Sequence, residues 1–166
     1  MFDPKTLVLA EQVVKRLSMG GRVLATAESC TGGLVAGAIT AIAGSSVCFD
    51  RGYVTYSNDA KSQEIGVRED TLKAHGAVSE ATALEMAIGA LEGSQANVAV
   101  STTGIAGPGG ATEGKPVGMV CFAWAWESPE GRCTRMLTDV FPGDRTDVRE
   151  AAVQVALRGL LDMPAA

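Results

Sequence analysis

A single histidine, His75, is all this 166-residue chain offers to imidazole chemistry. No His-rich metal site can be built from it, and a Ser-His mechanism would have to use that one ring. His75 stands just before Gly76 at an expected helix end, where a cationic side chain ordinarily serves as a C-terminal cap. Cysteine is sparse too: Cys30, Cys48, Cys121 and Cys133 lie far apart with no CxxC pair, which argues against zinc and fits free thiols in a reducing cytosol. No run approaches the roughly 18 unbroken apolar residues of a membrane span. The amino terminus also lacks the basic segment and apolar run of a signal peptide, so a cytoplasmic protein with no membrane partner is expected. Basic residues are the minority, 14 against 19 acidic for a net charge of −5. This disfavours a nucleic-acid partner but leaves room for a small basic pocket.

What is present is ordinary globular material, 46% hydrophobic and 20% charged, with no repeat, low-complexity tract or linker. One domain over residues 1–166 is expected. Apolar residues at helical spacing, ended by Gly20-Gly21, predict a helix over 4–19. Residues 22–27 read as a buried strand, and the small-residue stretch after Gly33 as a helix running to Gly44. Phe49–Tyr56 reads as a second strand. Ser57 or Asn58 then opens a short helix, 67–76 holds a further helical turn or two, and Ser79 caps a long helix. Residues 97–103 form a third strand, ahead of a glycine-rich loop to about Pro116. Residues 117–127 alternate in period two and turn at 128–131 into 132–140, a hairpin. Phe122, Trp124 and Trp126 share one face of that strand, for core packing in preference to an exposed dimer surface. Asp144 or Thr146 caps the last helix. The order predicts a three-layer α/β/α sandwich with a mostly parallel mixed sheet of about five strands, the hairpin supplying antiparallel pairing.

Chemistry in such a fold gathers where strands end. Three stretches sit there: residues 28–33, 44–61 and 102–110. Gly109 to Lys115 matches G-x-x-x-x-G-K, but Pro116 replaces the hydroxyl that should hold magnesium, and strand follows where a P-loop opens a helix. ATP hydrolysis by that route is rejected. What remains is a loop of backbone N–H groups able to approach a phosphate or carboxylate. With histidine set aside, a hydrolytic nucleophile needs another base, and lysine serves when a dry pocket lowers its pKa. Lys61, on the opening turn of a helix, is the best-placed lysine; Ser46 lies at the start of the strand leading to it. Their meeting would require that strand to turn back. Cys30 is a rival nucleophile, a thiol ahead of a helix N-terminus.

The blocks A-E-S-C-T-G-G at 27–33, G-S-S at 44–46, R-G-x-V-T-Y-S-N-x-A-K at 51–61, T-G-I-A-G-P-G-G at 103–110 and K-P-V-G at 115–118 resemble the CinA carboxy-terminal domain family, in the same order and without departure. The likeness runs from the first helix to the last, although full-length CinA proteins carry an additional amino-terminal domain for which this chain is too short. The resemblance implies an amidohydrolase that converts nicotinamide mononucleotide to nicotinate mononucleotide and ammonia in pyridine nucleotide recycling, without cofactor or metal. It implies Ser46 as nucleophile, Lys61 as base and Ser29 as a hydrogen-bonding partner, with Tyr56 and Thr103 lining the pocket. N–H groups near Ser45–Val47 would then face the oxyanion. Two places suit the 5′-phosphate, the Thr31-Gly32-Gly33 turn and the Gly104–Gly110 loop with Gly107 at its middle, and Arg145 is a possible cation. The family likeness also implies a homodimer. A non-catalytic nucleotide-binding or regulatory module of the same fold is the alternative.

Overall fold

The computed structural model describes residues 1–165. Helix α1 (Pro4–Met19) starts where the Asp3 carboxylate accepts from the Lys5 N–H and Pro4 opens the first turn, and it stops at Gly20. Strand β1 (Leu24–Glu28) is buried throughout. Helix α2 (Leu34–Thr40) stops one turn short of the expected Gly44, with the Thr40 hydroxyl bonded back to the carbonyls of Ala36 and Gly37. A short 3-10 turn at Ser45–Val47 leads into β2 (Phe49–Val54). Helices α3 (Asn58–Ile65), α4 (Glu69–His75) and α5 (Glu80–Glu92) follow; the Ser79 hydroxyl caps α5 by accepting from the Thr82 N–H. Strand β3 (Val98–Gly104) precedes the hairpin β4 (Met119–Ser128) and β5 (Gly131–Val140). Asp144 and Asp147 form a reciprocal capping box at the start of α6 (Arg145–Leu161). No helix among the described residues is long and apolar enough to cross a membrane.

The sheet order is β2-β1-β3-β4-β5. β2, β1 and β3 pair in parallel, while β4 runs antiparallel to both β3 and β5. Four strands therefore point one way although only two of the four pairings are parallel, which is the mixed three-layer sheet the sequence predicts.

The two faces of the sheet differ in side-chain size. One face carries Leu24, Val98, Val100, Phe122 and Trp124 against α1, α2 and α6. The other carries Ala25, Ala27, Ala99, Ala123 and Cys121 against α3 and α5. Small residues let α5 lie close, and Gly89 touches the Ile65 carbonyl so closely that a Cβ there would stand 1.8 Å from its oxygen. Across the sheet, Trp124 is buried and its indole N–H donates to the Ala156 carbonyl at 3.0 Å. Phe122 stacks on it at 5.9 Å between ring centroids. The aromatic face is core, and α6 fits against it because Gly159 has no side chain: a Cβ there would sit 2.0 Å from the Trp124 ring.

Candidate active site

Glu28 stands in register with Val54 on one side and with Thr102 on the other, so β1, β2 and β3 end side by side. The segments that leave those ends enclose a cleft of about 280 Å³, whose walls include Ser29, Tyr56, Lys61, Thr103, Gly107 and Arg145. The failed P-loop stretch belongs to this rim: after it the chain enters β4, not a helix.

Lys61 is held on the first turn of α3, which Ser57 caps by accepting from the Ala60 N–H at 3.1 Å. Its side chain is 1% exposed. The ammonium nitrogen donates to Ser29 Oγ at 3.1 Å and to the Thr55 carbonyl at 2.9 Å. Among the described residues no carboxylate lies within ion-pair distance of it. Burial pulls its pKa below the ordinary lysine value of 10.5. Ser29 is the first residue past β1, nearly buried, and its N–H donates to the Thr102 carbonyl at 2.9 Å.

The expected meeting of Ser46 with Lys61 does not occur. Ser46 is exposed in the 3-10 turn before β2, whereas Lys61 follows the other end of that strand. β2 stays extended in its pairing with β1, so its six residues hold the two ends roughly 20 Å apart. The backbone N–H groups of Ser45 and Val47 are at that far end as well, donating to the carbonyls of Ile42 and Gly44. The serine that reaches Lys61 is Ser29.

The Thr31-Gly32-Gly33 turn is not part of the cleft wall either. Thr31 is fully buried, its hydroxyl shared with Glu28 and with Thr102 Oγ1, each at 2.7 Å. Glu28, 1% exposed, accepts from Thr26 Oγ1, Thr31 Oγ1 and the N–H groups of Val35 and Ala36. Its carboxylate thus occupies the N-terminus of α2, which balances the buried charge and leaves no place there for a second anion. Gly32 and Gly33 supply the left-handed backbone that brings the chain round to this helix, with φ of 58° and 94°.

The glycine-rich loop stays open. Gly104 and Gly107 line the cleft, and Thr103 is fixed by donating to the Ala77 carbonyl at 2.8 Å. Arg145, the first residue of α6, spreads its guanidinium between the Gly107 carbonyl and Tyr56 Oη, both at 2.8 Å. At the loop's far side Lys115 donates to the His75 carbonyl; the one histidine ends α4 and does not line the cleft. Cys30 lines the cleft, but burial pushes its thiol up to about 12, the reverse of the activation expected of a helix N-terminus. Arg149 escaped the sequence reading. It lies four residues after Arg145 on the capped helix, a spacing that puts both on one face, and it donates to the carbonyls of Cys30 and Thr31.

In sequence, the profile of the CinA C-terminal domain matches residues 6–163. The chain is 55% identical over 160 residues to the nicotinamide-nucleotide amidohydrolase PncC of Escherichia coli (strain K12), covering 96% of this chain and 95% of that one. It is 53% identical over 157 residues to a CinA-like protein of Chloroherpeton thalassium, covering 95% of this chain but 37% of the longer relative. In structure, the competence/damage inducible protein CihA of Agrobacterium tumefaciens superposes with a TM-score of 0.89 at 47% identity, over 97% of this chain and 96% of that one.

Proposed function

The chain belongs to the CinA C-terminal domain family, and from that premise we propose that it hydrolyses the carboxamide of nicotinamide mononucleotide, releasing ammonia and nicotinate mononucleotide. Ser29 is the nucleophile and Lys61 its base. The observation that carries this assignment is the 3.1 Å contact between a buried, carboxylate-free lysine and a serine at the mouth of the cleft.

Neutral Lys61 takes the Ser29 proton as Oγ attacks the carboxamide carbon. The tetrahedral oxyanion forms next to the turn that follows Ser29, where the N–H of Cys30 is the nearest main-chain donor in sequence. As the C–N bond breaks, the lysinium returns the proton to the departing ammonia. Lys61 then takes a proton from water as its oxygen adds to the acyl carbon, and returns it to Ser29 Oγ as the ester C–O bond breaks; the acid so formed loses its proton to solvent as nicotinate. The 5′-phosphate lies at the glycine-rich loop and Arg145, since Glu28 already fills the alternative position. A cytoplasmic homodimer working in pyridine nucleotide recycling belongs to the same proposal. A binding module without catalysis is disfavoured by Lys61, whose burial beside a serine would serve no binding purpose.

Ammonia release from nicotinamide mononucleotide tests the assignment. Ser29→Ala is expected to lower turnover at least roughly a thousandfold. Lys61→Met should lower it at least about a hundredfold, and Ser46→Ala should stay within about twofold of wild type. Full activity in Ser29→Ala with loss in Ser46→Ala reverses the roles of the two serines. A wild-type protein that releases no ammonia across neutral to alkaline pH removes the amidase reading altogether.

A further inference from the structure

We propose that Arg149 is a positioning residue, whose guanidinium holds the turn that presents Ser29 to Lys61. The inference rests on the reading of Ser29 as nucleophile and adds to it a residue that touches neither substrate nor the reacting atoms.

The turn leaves β1 at Ser29 and reaches α2 at Leu34, and its carbonyls can be accounted for one by one. The Ser29 carbonyl accepts from the Gly32 N–H at 3.0 Å. The Thr31 carbonyl accepts from the Leu34 N–H at 3.1 Å and from Arg149 Nη2 at 3.2 Å. The Cys30 carbonyl accepts from Arg149 Nε at 3.1 Å and, among the described residues, from no other donor. One planar fork thus holds two consecutive peptide groups next to the nucleophile. In a trans peptide the carbonyl and the following N–H point in opposite directions, so fixing these carbonyls towards α6 also fixes which way the Thr31 and Gly32 N–H groups face.

Three further observations favour a structural fork over a substrate ligand. Arg149 is absent from the cleft wall, whereas Arg145, one helical turn earlier, is part of it. Gly32 leaves the guanidinium its room: a Cβ at that position would stand 3.2 Å from Arg149 Nη2. Among the described residues Arg149 also has no carboxylate partner, so its charge is spent on main-chain oxygens.

The test compares Arg149→Ala and Arg149→Lys with wild type and with Ser29→Ala, using nicotinamide mononucleotide turnover and thermal melting. The alanine variant is expected to lose about 10- to 100-fold in kcat while KM moves less than about threefold. Lysine cannot reach both carbonyls and should recover only part of the loss. Free guanidinium should raise the alanine variant's turnover several-fold, and ammonium at equal ionic strength should not. An unchanged kcat, a rise in KM with kcat intact, or a loss matched by the fraction of protein unfolded at the assay temperature overturns the proposal. If Ser29→Ala is inactive while Arg149→Ala is normal, only the positioning role falls. If Ser29→Ala is fully active, the nucleophile assignment falls first.

Discussion

Glu28 and Val54 are register partners in the parallel pair β1-β2, and the Thr55 N–H extends that pairing by one bond, donating to the Glu28 carbonyl at 2.9 Å. The chain therefore leaves both strands at the same level. Ser29 emerges from one, and Thr55 with Lys61 from the other, on the carboxyl side where an α/β sheet opens its crevice. The Lys61 ammonium closes the gap by binding Ser29 Oγ and the Thr55 carbonyl together.

The pH dependence of turnover should follow Lys61. Burial lowers its pKa, and in the proposed mechanism the active form is the neutral amine, so kcat/KM is expected to rise with pH through a midpoint below 10.5 and level off above it. Stability has the same sign: between the folded and unfolded values the unfolded chain holds a proton that the folded chain lacks, so stability rises with pH across that window. A pH–rate profile that is flat, or whose limb lies at the free lysine value, contradicts the role.

Arg145 should discriminate by phosphate. Replacing it with methionine removes a charge-assisted contact worth about 1.5–3 kcal/mol, which corresponds to a rise in KM for the mononucleotide of roughly 10- to 100-fold. The riboside, which has no phosphate, should be hydrolysed by the variant and by wild type at similar rates. Equal losses on both substrates would mean that Arg145 serves the loop and Tyr56 and not the ligand.

Cys30 should be inert. Its thiol, raised to about 12 by burial, stays protonated at neutral pH. Alkylation of the native protein by iodoacetamide should leave Cys30 unmodified by peptide mass analysis, and Cys30→Ala should keep most of the turnover. Between 9.0 and about 12 the folded chain retains a proton that the unfolded chain has lost, so this thiol reduces stability as pH rises, and the alanine variant should lack that component. Rapid alkylation with parallel loss of activity would restore the thiol to candidacy.

Glu28→Gln should destabilise the fold by about 2 kcal/mol, read as a lower urea midpoint at pH 7. The carboxylate accepts from four donors on two oxygens, and an amide would turn an NH₂ towards two of them. An unchanged midpoint would show that the α2 N-terminus does not depend on this anion.

Much of the architecture could be read locally. Ser79 and Asp144 announce their helices by capping chemistry, and the alternation through Phe122, Trp124 and Trp126 announces β4. The family likeness brought Ser29 and Lys61 into one site but made Ser46 the serine that Lys61 activates, and Ser46 lies at the far end of β2. Which serine meets Lys61 depends on β1 lying between β2 and β3, a relation among register partners 25 or more residues apart that no local motif encodes. Thr31 looked like a ligand-facing hydroxyl because burial is invisible in a short polar motif. Arg149 was illegible for another reason: its partners are main-chain carbonyls, which every residue has.

The Gly159–Trp124 contact fixes the rotational phase of α6. Arg149 lies ten residues up the same helix, about 15 Å away along its axis, and Arg145 one turn beyond that. A side chain at position 159 would have to turn or lift the whole helix off the indole, and both guanidiniums would swing with it. The aim of two arginines is thus set near the far end of α6 from the cleft, by the absence of a single carbon atom.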